Sequence, residues 1–143
     1  DGLIMVNLPQ EEAADLRHTL SAVGMDLVSL IAPTTADPRA QEIVTTASGF
    51  LYYVSLKGTT GSGALAVDEV AERMSFLQTL TDVPICVGFG IKDAKSAAAV
   101  SAHADGVVVG SALVQLMADS ADPNIATERL HSAAADIRHG LDG

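Results

Sequence analysis

Two short stretches of the sequence, residues 87–91 (VGFGI) and 106–112 (GVVVGSA), each carry an apolar run that ends in glycine just before a predicted helix. Glycine has no Cβ, so backbone N–H groups and a helix N-terminus can converge on one point there, and such a point binds anions. A single glycine after a strand is usually only a turn. Two such sites on successive strands predict a shared phosphate site, as in the loops after the last two strands of a (β/α)8 barrel.

The composition limits the fold and the partners. Hydrophobic residues make up 48% of the 143 residues, whereas aromatic residues make up 3% and Trp is absent. Such a core of aliphatic side chains is typical of helices packed on a buried parallel sheet, and the length predicts a single domain over residues 1–143. The formal net charge of −10 argues against nucleic acid and anionic membranes as partners. A phosphorylated small molecule stays compatible with it, because backbone N–H groups can bind phosphate.

Cysteine and histidine give no sign of a metal or redox centre. Cys86 is the single cysteine and lies in an apolar run, so we expect a small buried side chain in a reducing compartment. Four scattered histidines lack the spacing of metal ligands, and we expect no metal and no cofactor: His18, His103, His131 and His139. No apolar run is long enough to span a membrane and no signal peptide is evident. The chain begins at Asp1 on a strand-like run, which suggests a missing N-terminal part.

Strand-like and helix-like runs alternate along the whole chain. The strands are predicted at residues 1–7, 26–31, 50–55, 84–89 and 107–109. The helices are predicted at residues 10–23, 38–47, around 67–77, at 93–102, at 111–119 and from about 123 to 141. Asp37 and Asp122 each precede a proline, so both are predicted to be helix N-caps. Strict alternation predicts a parallel α/β sheet of five βα units, which is too few for the eight units of a (β/α)8 barrel. The glycine-dense residues 56–63 (LKGTTGSG) predict a functional loop.

In its motifs the chain resembles the tryptophan synthase alpha subunit family of cytoplasmic (β/α)8 lyases. Four segments match in order and spacing: residues 5–12 (MVNLPQEE), 52–61 (YYVSLKGTTG), 87–91 (VGFGI) and 107–112 (VVVGSA). The resemblance covers the whole chain but only the second half of the family's barrel, so it implies a parallel half-barrel, five βα units from a TIM (β/α)8 barrel. It implies cleavage of indole-3-glycerol phosphate to indole and glyceraldehyde 3-phosphate in tryptophan biosynthesis. It also implies a beta subunit as partner of the restored barrel.

The resemblance assigns roles to seven residues. Four match positions around the substrate phosphate: Phe89, Gly90, Gly110 and Ser111. Gly61 matches the loop glycine that covers the phosphate, and Tyr52 matches a tyrosine of the substrate pocket. Thr60 matches the loop threonine that meets a catalytic aspartate on closure.

The resemblance also indicates what this sequence lacks. The reaction requires positioned carboxylates, because a proton must reach indole C3 and a base must take one from the glycerol hydroxyl. The family's glutamate and aspartate lie on its second strand and the loop beyond, a region that these residues do not match. Asn7 stands where the family usually has Asp, and Thr59 where valine is common. The remaining carboxylates are predicted to be caps or solvated helix faces, so we expect no catalytic residue and no activity from this chain alone.

Two alternatives remain open. The chain could be a non-catalytic half-barrel that binds phosphate or assembles with itself, or another phosphate-binding barrel enzyme such as one of thiamine phosphate synthesis. Residues 52–61 favour the tryptophan synthase pattern over the latter. In every case an open five-stranded sheet exposes two edges and one face, so a homodimer with a large apolar interface is expected.

Overall fold

The computed structural model describes residues 1–54, 63–88 and 90–142. Among these residues, five parallel strands form one sheet in chain order: β1 (Gly2–Ile4), β2 (Asp26–Ile31), β3 (Leu51–Val54), β4 (Ile85–Gly88) and β5 (Gly106–Val107). The helices between and after them are α1 (Ala14–Ser21), α2 (Asp37–Val44), α3 (Gly63–Gln78), α4 (Ala94–Ser101), α5 (Ser111–Ala118) and α6 (Pro123–Asp142). The predicted βα alternation and parallel sheet are confirmed.

The two faces of the sheet differ in burial. Leu51 and Ile85 are paired in register, as are Tyr53 and Val87, and all four side chains are buried in the core that the helices cover. Helices α2, α3 and α4 add Ala40, Met74, Ala97 and other fully buried side chains to this core. The alternate residues Leu30, Tyr52 and Cys86 form a second row across β2, β3 and β4, and each is only partly buried. We call this second side the open face.

Both edge strands are shorter than the sequence predicted. Strand β1 ends at Ile4 instead of residue 7, and Val6 and Asn7 lie in a turn. Strand β5 spans Gly106–Val107 instead of 107–109, although the Val108 N–H still donates to the Val87 carbonyl at 2.9 Å. An edge strand has a hydrogen-bonded neighbour on one side only, so its ends are held by fewer bonds than those of a central strand.

The first predicted helix is interrupted near its start. A short 3₁₀ helix (Gln10–Glu12) precedes α1, and the Glu12 and Ala13 N–H groups donate to the carbonyls of Pro9 and Gln10. These bonds span three residues, so the turn is tighter than an α-helix. The apolar spacing predicted one helix over residues 10–23, but these residues form two elements, the 3₁₀ helix and α1.

The predicted N-caps divide into two cases. Asp37 is the first residue of α2 and Ala36 is its N-cap, so the prediction for Asp37 was wrong. Its carboxylate instead pairs with the Arg73 guanidinium at 2.5 Å, a partner on α3 that no local sequence pattern indicates. Asp122 behaves as predicted, since its Oδ1 accepts from the Asn124 N–H at 2.8 Å. Asp93 caps α4 in a capping box with Ser96, and this bonding lowers the pKa of the Asp93 carboxyl.

Candidate functional site

The carboxyl ends of β3, β4 and β5 border a cleft of about 460 Å³. Four of the residues selected from the sequence line it together: Tyr52, Gly90, Gly110 and Ser111. The other lining residues are Val54, Gly88, Ile91, Lys92, Val108 and Ala112. Parallel strands bring their carboxyl ends to the same edge of a sheet, where ligands of α/β folds commonly bind. The strand-end motifs thus meet at one place, although Gly90 and Ser111 are 21 residues apart in the sequence.

Gly88 gives Tyr52 its position in the cleft. A Cβ on Gly88 would lie 2.5 Å from the Tyr52 hydroxyl oxygen and 2.8 Å from a ring carbon, both too close for any side chain. The Tyr52 ring therefore extends across β4 only because residue 88 is glycine. On its other side the Phe50 ring lies with its centroid 6.4 Å away and tilted by 54°. The Tyr52 ring thus packs over the backbone of Gly88 and beside the Phe50 ring at the border of the cleft.

Gly90 and Gly110 shape the wall that the sequence predicted to bind phosphate. Gly90 has a φ of 57°, a left-handed conformation that glycine adopts without strain. Gly110 is the N-cap of α5, and apart from its chain neighbours no atom of the described residues lies within 4 Å of the place where its Cβ would be. Ser111 and Ala112 open the first turn of α5, where N–H groups have no partner inside the helix. Donors and the positive end of the helix dipole therefore border the cleft, as an anion requires.

Lys92 is the residue that sequence reasoning missed. Its exposed side chain lines the cleft two residues after Gly90, and it is the single charged residue among the described lining residues. Because the chain is strongly negative, its sequence predicts phosphate binding by backbone N–H donors and does not indicate a basic side chain. The available signal was the position of Lys92 directly after the VGFGI segment, in the loop that leads to α4.

Three of the seven selected residues, Thr60, Gly61 and Phe89, lie outside the described residues, as does most of the predicted loop over 56–63.

Cys86 was expected to be buried but is only partly so, because it lies on the open face. The partial burial and the nearby Asp105 carboxylate raise the pKa of the Cys86 thiol, which keeps it protonated at neutral pH. A reactive thiolate is therefore not favoured there.

The described part of the chain offers little acid, base or metal chemistry near the cleft. Its described lining contains no Asp, Glu or His. No group of three or more His, Cys, Asp or Glu residues in ranges 1–54, 63–88 and 90–142 is arranged to hold a metal ion. Over the same part of the chain, none of the helices has the length and apolar character needed to cross a bilayer. What the described cleft provides is backbone donors, hydroxyls and one ammonium group.

Comparison with known proteins places this arrangement in a family. The family model described as tryptophan synthase alpha chain matches residues 1–140. The alpha chains of Psychrobacter arcticus and Thioalkalivibrio sulfidiphilus are 45% and 48% identical, and each match covers 99% of this chain but 53% and 54% of the relative. The crystal structure of tryptophan synthase subunit alpha from Legionella pneumophila superposes with a TM-score of 0.83 at 33% identity over 99% of this chain and 52% of that one.

These matches agree with the topology of the sheet. The chain spans about half the length of the relatives it matches, and its five strands correspond to part of their barrel. The half-barrel fold predicted from the sequence is confirmed, and the alternative of a thiamine phosphate synthesis enzyme is not supported. The chain belongs to the tryptophan synthase alpha chain family.

Proposed function

We propose that the cleft binds the phosphate group of indole-3-glycerol phosphate, and that the chain is the phosphate-binding half of a tryptophan synthase alpha-type lyase of the cytoplasm. The observation that carries the proposal is the meeting of Tyr52, Gly90, Gly110 and Ser111 around one cleft. In this proposal the first-turn amides of α5 and the Ser111 hydroxyl donate to phosphate oxygens. Phe89 borders the same group, and Tyr52 lines the part of the pocket that holds the rest of the substrate.

Lys92 adds a charge to this site. An ammonium group beside the amide donors would attract a dianionic phosphate and strengthen the hydrogen bonds made to it. The whole chain carries a formal net charge of −10, so a local positive group also offsets long-range repulsion of the anion. We expect Lys92→Ala to weaken phosphate binding more at low salt than at high salt.

The same proposal holds that these 143 residues do not catalyse the cleavage alone. The reaction requires an acid near indole C3 and a base near the glycerol hydroxyl. The described lining of the cleft supplies neither group, and Asn7 is an exposed amide in a turn. Gly61 and Thr60 are proposed to cover the phosphate and to meet a catalytic carboxylate that another part of the barrel supplies. A beta subunit is a proposed partner of the restored barrel only.

The test is complementation. The N-terminal half of a related alpha chain, made separately, is mixed with this chain and indole release from indole-3-glycerol phosphate is measured. We expect no release from either piece alone and measurable release from the mixture. A well-folded mixture that releases no indole would contradict the lyase assignment.

Thr60 provides an internal check on that assay. Thr60→Ala should abolish the restored activity while phosphate affinity stays nearly unchanged, because its proposed partner is a carboxylate and not the phosphate. Thr79→Ala is the matched control, since Thr79 is exposed at the end of α3 and its hydroxyl donates to the Phe76 carbonyl at 2.7 Å. An equal loss of activity and phosphate affinity in the Thr60 variant would show that the proposed role is wrong.

A second candidate function, self-assembly, is favoured by exposed apolar residues that follow β1 and that lie on α5. Met5 and Val6 follow β1 and are 41% and 75% exposed, whereas Val114 and Met117 on α5 are 63% and 55% exposed. A two-fold axis would bring the β1 end of one copy to the α5 end of the other. Sedimentation equilibrium over a range of concentrations should show a homodimer, and a monomer at high concentration would contradict this candidate.

A further inference from the structure

Helix α6 packs against α4 with almost no space between the two backbones at one position. A Cβ on Gly140 would lie 2.5 Å from the Ala94 carbonyl oxygen and 2.8 Å from the Ala94 Cα. Both are backbone atoms of the first residue of α4, so no side chain can rotate to make room. Gly140 therefore allows α6 to lie directly on the N-terminal end of α4.

The neighbours of Gly140 on α6 hold this contact in place. Ile137 is 7% exposed and belongs to the large core cluster together with Ala97 and Val100 of α4. Leu141, the residue after Gly140, packs against the same cluster. Because these apolar side chains are already packed, a larger residue at position 140 requires that α6 or the start of α4 moves.

The first turn of α4 is joined by hydrogen bonds to the loop that borders the proposed phosphate cleft. Ser96 Oγ accepts from the Lys92 N–H at 3.1 Å and from the Asp93 N–H at 3.2 Å. In return, the Ser96 N–H donates to Asp93 Oδ1 at 2.8 Å. These three bonds tie the backbone of Lys92 to the start of α4.

Lys92 lies at the end of this series of contacts. It lines the proposed phosphate cleft with Gly90 and Ser111, and it also lines the groove between α4 and α6 in which Gly140 lies. The attraction between an ammonium group and a phosphate depends on the distance between them. A shift at the start of α4 therefore changes how strongly Lys92 attracts an anion in the cleft.

We propose that Gly140 is a positioning residue for phosphate binding. It lets α6 hold the start of α4, and the hydrogen bonds of Ser96 pass that position on to Lys92. The inference rests on the proposed phosphate site. Gly140 is not among the described lining residues of the cleft, so it acts without touching the ligand.

The test is a titration of the unmodified chain and of Gly140→Ala with glycerol 3-phosphate, followed by backbone amide NMR shifts. The variant should bind at least about three-fold more weakly at low salt and lose less at high salt, where ions screen the charge of Lys92. Alanine favours a helix more than glycine does, so a weaker α6 would not explain the loss. In a Lys92→Ala background, Gly140→Ala should have no further effect, because changes that act through one group are not additive.

Ser96→Ala tests the next link of the same route. It removes the acceptor of the Lys92 N–H and leaves the Gly140 contact intact, so it should also weaken binding only while Lys92 is present. Its result decides the question if the Gly140 variant does not fold. Ser101→Ala is the matched control and should leave phosphate affinity unchanged. Ser101 is likewise partly exposed on α4, and its hydroxyl donates to the Ala98 carbonyl at 3.2 Å.

Two results would overturn the inference alone. If either variant, once folded, binds glycerol 3-phosphate as the unmodified chain does, the contact between α4 and α6 does not position Lys92. If the losses persist in the Lys92→Ala background, the two residues act on the cleft by another route. In both cases the proposed phosphate site stands, whereas an unmodified chain without saturable binding would remove that site and this inference together.

Discussion

The glycines of the cleft differ in what surrounds their Cα atoms. Gly88 is closed in by the Tyr52 ring, whereas no described atom beyond the chain neighbours of Gly110 lies within 4 Å of the place where its Cβ would be. The first glycine is therefore required by the protein's own packing. The second leaves room that the fold does not use, and we propose that a phosphate occupies it.

Substituting alanine at each position should separate these two requirements. Gly110→Ala should change the free energy of unfolding by less than about 0.5 kcal/mol, because its Cβ meets nothing, yet weaken phosphate binding at least about ten-fold. Gly88→Ala should lower the free energy of unfolding by about 1–3 kcal/mol, because Tyr52 must move. Urea unfolding and phosphate titration of both variants measure the two effects. A Gly110 variant that binds phosphate normally would remove Gly110 from the site.

At the same scale, local motifs select Gly90, Gly110 and Ser111 and the family resemblance selects Tyr52. The structure places all four around one cleft. The sequence does not predict Lys92 as a lining residue, since one lysine beside a motif has no distinctive spacing. Nor does it predict that the buried Ser29 hydroxyl has no hydrogen-bond partner among the described residues. That property depends on two core clusters that meet only in the folded chain, around Leu27 and Ile31.

At the scale of elements, the presence of each helix is predicted better than the residues at which it begins and ends. The spacing of apolar residues locates α2, α3 and α4 because each buries one face in the shared core. Local patterns do not predict a side chain's role when its partner is distant in the sequence. Asp37, for example, pairs with Arg73, which also donates to the Thr35 carbonyl at 2.8 Å. Local patterns also fail at sheet edges, where β1 and β5 are shortened by the lack of a second neighbour.

The capping box of α4 gives a prediction with a pH dependence. Hydrogen bonds from Ser96 lower the pKa of the Asp93 carboxyl below its ordinary value of 3.8. Because the pKa is lower in the folded state, the stabilisation is present above about pH 4 and is lost as the pH falls through the folded pKa. Asp93→Asn should be less stable than the unmodified chain at pH 6, and the difference should shrink below pH 4. A difference that grows on acidification, measured by urea unfolding, would contradict this reading of the cap.

The hydrophobic core offers a second test at this scale. Met74 on α3 is fully buried beneath the sheet, so Met74→Ala leaves a cavity and should lower the free energy of unfolding by about 2–5 kcal/mol. Ala99→Gly on α4 is a mild helix control at an exposed position and should cost about 1 kcal/mol. Equal effects of the two changes in urea unfolding would show that α3 is not packed on the sheet as described.

At the scale of the whole molecule, the described sheet has two edge strands, β1 and β5, each with one strand neighbour. The chain spans about half the length of the relatives it matches, and exposed apolar side chains follow β1 (Met5 and Val6) and lie on α5 (Val114 and Met117). Exposed apolar patches of this kind commonly mark association surfaces. The composition and the βα alternation predict this open sheet, but they do not identify which residues become exposed at its two ends.

A charge placed on the exposed apolar surface of α5 should weaken the proposed dimer. Val114→Lys puts an ammonium group at a 63% exposed position of α5, and we expect it to raise the dimer dissociation constant at least about ten-fold, because a charge would be desolvated in the contact. Ala99→Lys on the exposed side of α4 is the matched control. Sedimentation equilibrium of both variants compares them. Equal association of the Val114 variant and the unmodified chain would place the interface elsewhere.

The proposed phosphate cleft is tested most directly by titrating the chain with glycerol 3-phosphate and following backbone amide shifts by NMR. We expect saturable shifts concentrated at Gly90, Gly110, Ser111 and Ala112, which border the cleft. Lys92→Ala should reduce the affinity while preserving the pattern of shifts. Shifts that do not saturate, or that spread over the surface and spare the first turn of α5, would contradict the account.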